Sequence, residues 1–406
     1  MGIESPLGKY STTMSSSAIK TSRYQALDLW RGLICLFVVL EHAVVALWSD
    51  SQESWVRRIL VAPFQTNLGT PLFFVISGYC IAASLVGCQR RNTAPLFFLA
   101  RRFWRVFPPY WAALIGFAAL VAILDYAGLP QIHRNPYTLE LPSLTELTSY
   151  QWAGNITLTE TWRSHVTGGE ANIFTRIAWS LCYQEQFYVV CFLVLLLCRK
   201  HLFKTLGILT AILVGLRIVA SDAGALWRLE GTFPVLWHQF AVGLGAYYVL
   251  NCQPSAFKRR GILVILALVA IYAAFSQDAA TSVSALFGLL MIGLHRWDAA
   301  WAKIRALEPL RALGKRSYSI YLAHLPVMIL VAGGLAELGV TGFWGRTALT
   351  VPLSTITGVV AGLVFYRVIE SRFLEFPSYT RPKSLAIPRP AAAGRLGQAA
   401  PSTATV

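Results

Sequence analysis

The chain has 406 residues, of which 55% are hydrophobic and 13% are charged, whereas soluble globular domains carry about 25% charged residues. Its mean hydropathy of +0.54 leaves too little polar surface to cover a soluble core of this size. Soluble, disordered, collagen-like and disulfide-stapled classes are therefore excluded, and a polytopic membrane protein remains. The net charge of +16 must then be explained by where the basic residues lie relative to the membrane.

The seven cysteines lie in or beside apolar runs, and none falls in the polar stretch 126–176. The sequence contains no CxxC pair and no Cys/His spacing typical of metal ligands. We therefore expect buried, unbridged thiols, no metal site and no permanently bound cofactor.

Ten mostly apolar segments are candidates for crossing a bilayer, which takes about 17 to 25 residues. They run over residues 29–48, 68–87, 106–125, 177–198, 205–220, 233–250, 261–276, 281–294, 318–332 and 347–369. No internal repeat is evident. The pattern predicts an all-α polytopic membrane protein with about ten transmembrane helices.

The basic residues alternate between the loops on the two sides of the membrane. With the N-terminus inside, 26 of the 35 lysines and arginines fall in cytoplasmic segments and only 7 in outer ones. This bias predicts that both termini are cytoplasmic. Because the basic clusters occur in every second loop and not on one face, nucleic acid is not expected as a partner.

The polar segments predict three parts of the chain. Residues 1–22 are expected to form a disordered cytoplasmic N-terminus, residues 23–376 the membrane domain, and the Pro- and Ala-rich residues 377–406 a disordered cytoplasmic tail. Within the domain, the external loop 126–176 is far longer than a usual connection. Its aromatic residues favour stacking on sugar rings; they include Tyr137, Tyr150, Trp152 and Trp162.

Ionisable residues within a span are candidates for function. Arg31 and His42 are eleven residues apart in the first span, which places both on one helix face about 16 Å apart along the axis. Asp28 precedes Arg31 by one turn and is placed to orient it through an ion pair. This layout suits an anionic donor that enters from the cytoplasm. Equally open is a structural role, with Arg31 reaching the interface and His42 bonding a neighbouring helix.

Two further features of the spans have simpler interpretations. Glu41 lies about 100° round the helix from His42 and is expected to bond another helix. Ser77 and Gly78 either line a channel for a substrate or only allow close helix packing.

Five blocks of sequence, in order along the chain, resemble the acyltransferase 3 family of integral membrane acyltransferases. They are residues 23–42 with arginine and histidine eleven apart, PLFFVISGY at 71–79, RRFWRVFPPYW at 101–111, WSLCYQEQFY at 179–188 and LGKRSYSIYLAHLP at 313–326. The blocks lie between residues 23 and 326, the resemblance covers residues 23 to about 376, and five blocks in order are more specific than any one of them.

The resemblance implies transfer of an acyl group, commonly acetyl, from cytoplasmic acyl-CoA to a hydroxyl of an extracytoplasmic carbohydrate, such as a surface polysaccharide or exopolysaccharide, at a bacterial inner membrane. Arg31, Arg102 and Arg105 would hold the CoA phosphates. His42 would act as general base or as a transient acyl carrier. Residues in matching blocks are expected to support the site: Asp28, Ser77, Gly78, Trp179, Ser180, Tyr188, Tyr318 and His324.

One position departs from the family pattern. The family usually has a glutamate at the sixth position of the Trp-Ser-Leu block, where this chain has Gln184, followed by Glu185. An amide cannot accept a proton as a carboxylate does. Either Glu185 takes the catalytic place after a helix rotation, or this chain uses a different acceptor.

Two rival functions remain open on the sequence alone. In a transporter or flippase for a glycan or lipid-linked sugar, His42, Arg31 and Glu185 would form a proton relay. A non-enzymatic membrane scaffold is the other. For the enzyme, the expected partners are acyl-CoA, a carbohydrate or lipid-linked glycan, membrane lipids and polysaccharide-biosynthesis proteins.

Overall fold

The computed structural model describes Tyr24 and residues 26–47, 55, 59, 61–64, 67–137 and 139–376, and over these residues every regular element is a helix. The predicted terminal segments 1–22 and 377–406 lie outside this part. The long helices are α1 (Leu27–Val44), α2 (Gly69–Arg90), α3 (Pro95–Tyr126), α6 (Trp179–Leu197), α7 (Leu202–Asp222), α8 (Trp237–Asn251), α9 (Ala256–Phe275), α10 (Ala279–Leu294), α13 (Ser317–Glu337) and α14 (Val351–Val368). Shorter helices are α4 (Ser149–Thr157), α5 (Glu160–Thr167), α11 (Asp298–Lys303) and α12 (Glu308–Lys315).

Each of the ten predicted spans coincides with one of the ten long helices. Within the described ranges, eight helical stretches are long and apolar enough to cross a membrane. The other two predicted spans are α8, with 15 residues, and α9, whose first turn carries Lys258, Arg259 and Arg260. The all-α polytopic fold is confirmed, whereas the side on which the termini lie stays a prediction.

The first helix has neighbours on several sides. α1 contacts α2, α12, α13 and α14, while α2 packs along α8 and α13 along α14. The contact between α2 and α8 depends on two glycines: a Cβ on Gly78 would lie 2.0 Å from the carbonyl oxygen of Phe240, and one on Gly243 would lie 1.9 Å from that of Val75. Such close backbone approach is typical of helix pairs in membranes.

The charge on Arg217, inside α7, is neutralised by an ion pair. Its Nη2 lies 2.8 Å from Oδ2 of Asp278 in the turn before α10. Asp278 also accepts from the Thr281 hydroxyl, which is 2.7 Å from Nε2 of His238 on α8. Because an unpaired charge in a membrane is costly, this network explains Arg217 without a role in chemistry.

The predicted external loop is folded around buried polar side chains. Glu160 is fully buried and accepts hydrogen bonds from Arg163 Nε (2.7 Å) and the Asn172 backbone N–H (2.8 Å). His133, also fully buried, lies 2.7 Å from Asp125 Oδ1 and 3.0 Å from the Leu141 carbonyl oxygen. The bonds of Glu160 hold the second half of segment 126–176 together, and the bond from His133 to Asp125 ties its first half to the end of α3.

Candidate active site

The site begins with the two α1 residues that the sequence singled out. Arg31 lies near the start of α1 and His42 in its last turn, as the eleven-residue spacing predicts. Both side chains are partly buried. Arg31 Nη1 is 3.7 Å from Oδ1 of Asp28, so the expected ion pair is present. The two ends of α1 therefore offer different chemistry, a cation at one and an imidazole at the other.

His42 is hydrogen-bonded to a second histidine. Its Nδ1 lies 2.8 Å from Nε2 of His324, and the ring centroids are 5.0 Å apart. Nδ1 of His324 lies 2.8 Å from the carbonyl oxygen of Ile320, which can only accept, so this nitrogen carries the proton. In the neutral pair, His324 Nε2 then accepts from His42 Nδ1–H, and the lone pair of His42 lies on Nε2.

A cavity of about 180 Å³ lies beside His42. Its wall comes from α1, the start of α2, the segment before α6, and α13. Apolar and aromatic side chains predominate, with a few polar groups between them, as in sites for small polar ligands. The lining residues are Val38, Glu41, His42, Val45, Phe64, Asn67, Thr70, Leu139, Arg176, Ile177, Trp179 and Tyr321.

Two aromatic residues of the wall are held in place from behind. The Tyr321 hydroxyl lies 2.9 Å from the Ser180 hydroxyl and also bonds the carbonyl oxygen of Ile177. The Trp179 ring packs edge-on against Phe74. Trp179 and Ser180 thus belong to the site region, as the Trp-Ser-Leu block predicts, with Ser180 behind the wall.

Two of the three predicted donor arginines meet at one face of α2. Arg31 Nη2 lies 3.1 Å from Cys80 Sγ, and Arg102 Nη2 bonds the Ser84 hydroxyl. Cys80 and Ser84 are one helical turn apart, and the Ser84 hydroxyl in turn bonds the Cys80 carbonyl at 2.9 Å. Arg31 and Arg102 therefore converge, although they come from different helices.

A line of polar side chains extends from these arginines along the contact between α2 and α6. Gln184 on α6 donates to the Ser77 hydroxyl (3.1 Å) and to the Tyr188 hydroxyl, and the guanidinium of Arg102 lies over the Tyr188 ring, 5.5 Å from its centroid. From Trp179 at the cavity to Tyr188 is nine residues, about 14 Å along α6. We call the set Ser77, Cys80, Ser84, Gln184 and Tyr188 the polar column.

Gln184 faces this column, and its neighbour Glu185 does not line the cavity. Glu185 Oε1 is buried with no hydrogen-bond partner in the described part of the chain. The positive charge of Arg102 acts on this carboxyl group. Glu185 thus lies outside the cavity wall, and its catalytic role stays a prediction.

Arg105 is paired differently from the other two arginines. Its Nη2 lies 3.2 Å from Oε1 of Glu370, which is 1% exposed. Oε2 of Glu370 accepts from the backbone N–H of Ser319 at 3.1 Å and from its hydroxyl. The side chain of Arg105 is 39% exposed. Arg105 thus links α3 to α13 and to the end of α14.

The remaining predicted residues lie in helix contacts. Gly78 packs against the α8 backbone, as described above, which favours the packing interpretation. The Tyr318 hydroxyl donates to the carbonyl oxygen of Val106 at 2.9 Å and so ties α13 to α3.

Sequence reasoning missed several residues of the cavity wall. Asn67, Thr70 and Arg176 lie in segments with no local motif, and only the fold brings them to His42. Glu41 was expected to bond another helix; its Oε2 lies against Gly69 at the start of α2, and its side chain also lines the cavity. Tyr321 lies inside a recognised block, so its position was a signal that could have been used.

A family model described as an acyltransferase domain matches residues 24–367. The chain is 25% identical over 392 residues to the peptidoglycan O-acetyltransferase OatA of Listeria monocytogenes, covering 88% of this chain and 57% of that protein. It is 26% identical over 313 residues to the exopolysaccharide production protein ExoZ of Rhizobium meliloti, covering 75% and 89%. The O-acetyltransferase OatA of Staphylococcus aureus is 25% identical over 297 residues, covering 65% and 46%.

The chain spans about half the length of the two OatA proteins and most of ExoZ. No solved structure matches it.

Proposed function

Since the chain belongs to the acyltransferase 3 family of integral membrane acyltransferases, we propose that it transfers an acetyl group from cytoplasmic acetyl-CoA to a hydroxyl of an extracytoplasmic carbohydrate. The family match confirms the membrane-bound acyltransferase predicted from the five blocks. With the apolar helices, it also confirms an integral, multi-pass protein of the bacterial inner (cell) membrane type. Donor, acceptor and residue roles are the proposal.

The relatives support a carbohydrate acceptor. The two OatA proteins are named as O-acetyltransferases, one of them of peptidoglycan, and ExoZ is named for exopolysaccharide production. The cavity agrees with such an acceptor because it combines aromatic faces with separate hydrogen-bonding groups. A surface polysaccharide or exopolysaccharide is therefore the acceptor class that we propose.

The observation that carries the proposal is the bonded pair His42 and His324 at the cavity. The pair leaves a lone pair on His42 Nε2, which is the form a general base needs near neutral pH. In the proposed reaction, His42 Nε2 takes the proton of the acceptor hydroxyl while the oxygen of that hydroxyl forms a bond to the thioester carbonyl carbon. The C–S bond then breaks, and the proton passes from His42 to the CoA thiolate.

The arginines at the polar column, at the other end of α1, support the proposed site for the donor. The convergent guanidinium groups of Arg31 and Arg102 suit phosphate groups, which they bind through charge-assisted hydrogen bonds. Arg105 is bonded to Glu370, and we propose that the exposed part of its side chain contributes to donor binding at the same end of α1. An extended pantetheine arm is long enough to cover the roughly 16 Å from Arg31 to His42.

The test is transfer of labelled acetyl by the reconstituted protein. With labelled acetyl-CoA and bacterial polysaccharide, we expect label on the polysaccharide, and a loss of at least about 100-fold in His42→Ala because general-base catalysis contributes about 10²- to 10⁴-fold. The matched control is His201→Ala, since His201 is exposed near the other end of the bundle. Equal transfer by His42→Ala contradicts the mechanism. If glycan crosses the vesicle membrane and no acetyl group is transferred, the result supports a transporter function instead.

A further inference from the structure

Glu41 is a cavity residue with one carboxylate oxygen left over. Its side chain lines the cavity next to His42, and the residue is only 5% exposed. Oε1 is buried and has no hydrogen-bond partner within the described ranges. A buried acceptor without a donor is costly, about 1 to 3 kcal/mol and more for a charged group, so a ligand that supplies a donor is favoured there.

The other oxygen lies against the N-terminus of α2, beside Gly69. The backbone N–H groups of Leu68 and Gly69 there stabilise the negative form of the Glu41 carboxylate, as a helix N-terminus does for a negative charge. A Cβ on Gly69 would lie 2.7 Å from Glu41 Oε2 and 2.2 Å from Val38, so glycine is needed for this approach. The carboxylate is therefore fixed in place, which makes it suited to positioning a substrate.

The rest of the wall indicates what kind of donor Oε1 would meet. Trp179 and Tyr321 offer aromatic faces, while Asn67, Thr70 and Arg176 offer polar groups at separate points. Arg176 is exposed and its Nε is held 3.2 Å from the Glu140 carbonyl oxygen. A sugar ring matches this arrangement because it carries hydroxyl donors at several positions around an apolar face.

We propose that Glu41 Oε1 accepts a hydrogen bond from a second hydroxyl of the acceptor sugar and thereby selects which hydroxyl meets His42. The inference rests on the proposed function and deepens it: the acceptor carries a free hydroxyl next to the one that is acylated. Because a carboxylate can only accept, a sugar without that donor leaves Oε1 unpaired and is disfavoured. Glu41 is thus a residue that sets the position of acylation.

The test uses methyl glycosides as probes. Methyl glycosides of glucose, galactose, mannose and N-acetylglucosamine are offered with labelled acetyl-CoA, and the one acetylated fastest is taken with its monodeoxy analogues. For the wild type, the analogue that lacks the acetylated hydroxyl should give no product at the usual position. The analogue that lacks the hydroxyl bonded to Glu41 should lose about 10- to 100-fold in kcat/KM, as expected for one hydrogen bond to a charged group. The KM for acetyl-CoA stays unchanged.

The variant Glu41→Gln separates recognition from a structural role. Its amide oxygen can still accept from the first turn of α2, and its NH₂ group then replaces Oε1 as a donor. In this variant, the loss in kcat/KM for the analogue that lacks the hydroxyl bonded to Glu41 should fall to less than about 3-fold. The preferred position of acetylation should change, or more than one position should be acetylated. The matched control, Glu146→Gln on the exposed part of segment 126–176, should keep the wild-type preference.

Two results would overturn the inference. If Glu41→Gln lowers kcat/KM equally for the parent glycoside and every analogue, Glu41 only supports the fold. If Glu41→Gln keeps the wild-type penalty, another group makes the contact. Failure of the proposed function looks different: the wild type then labels no glycoside and no polysaccharide, and the inference falls with it.

Discussion

His42 Nε2, the proposed proton acceptor, owes its lone pair to two hydrogen bonds that end at a backbone carbonyl. Ile320 fixes the tautomer of His324, and His324 fixes that of His42. Neither partner carries a charge, so His42 is oriented without the carboxylate that often serves this purpose. The chemistry of one side chain is thus set by a residue 282 positions away.

His324 can therefore be tested as a positioning residue. His324→Leu removes the acceptor for His42 Nδ1–H, and we expect kcat to fall by about 100-fold with the KM for acetyl-CoA unchanged. His324→Gln keeps an oxygen that can accept, so it should recover part of the activity. Steady-state kinetics on both variants, with thermal unfolding in detergent as the control, make the comparison. Equal loss in both variants would show that only the packing of His324 matters.

The sequence predicted some residues of the site and not others, for physical reasons. The shared face of Arg31 and His42 follows from helix periodicity alone. The bond between His42 and His324 is a tertiary contact, so His324 could be named from its block but given no role. Helix periodicity gives the angle between Glu41 and His42 around α1, so Glu41 was expected to contact a neighbouring helix. Periodicity does not show where the N-terminus of α2 lies, and the cavity beside Glu41 could therefore not be predicted.

At the scale of helices, hydropathy located every long helix but misplaced the ends of some. The third span was predicted from residue 106, whereas α3 begins at Pro95. Its first turns carry Arg101, Arg102 and Arg105, which lower local hydropathy without interrupting the helix. Hydropathy identifies the part of a helix that is apolar enough to lie in lipid. The helix itself continues past that part as long as its backbone hydrogen bonds do.

Packing at this scale depends on the contact of Gly78 with α8. Gly78→Ala places a Cβ 2.0 Å from a backbone oxygen that cannot move alone, so we expect the free energy of unfolding to fall by about 1 to 3 kcal/mol. Gly207→Ala, on α7, is the matched control because no atom lies within 4 Å of the added Cβ. It should be neutral or slightly stabilising. Thermal unfolding in detergent distinguishes the two, and equal stability would contradict the packing.

At the scale of the whole molecule, the two kinds of chemistry lie at opposite ends of one helix. The arginines meet the polar column at one end of α1, and the cavity with His42 lies at the other. The excess of basic residues in alternate loops predicts that the arginine end lies on the cytoplasmic side. Neither hydropathy nor motif spacing could predict the cavity, because its wall is assembled from four separate parts of the chain.

The most direct test of acyl transfer across the membrane is to supply donor and acceptor on opposite faces of it. Proteoliposomes with the protein in a single orientation receive labelled acetyl-CoA on the face of the arginines and polysaccharide only on the opposite face. We expect labelled polysaccharide on that opposite face, and its loss in His42→Ala and in the double variant Arg31→Ala, Arg102→Ala. Label found only when donor and acceptor share one face, or undiminished in His42→Ala, would contradict acyl transfer across the membrane through this site.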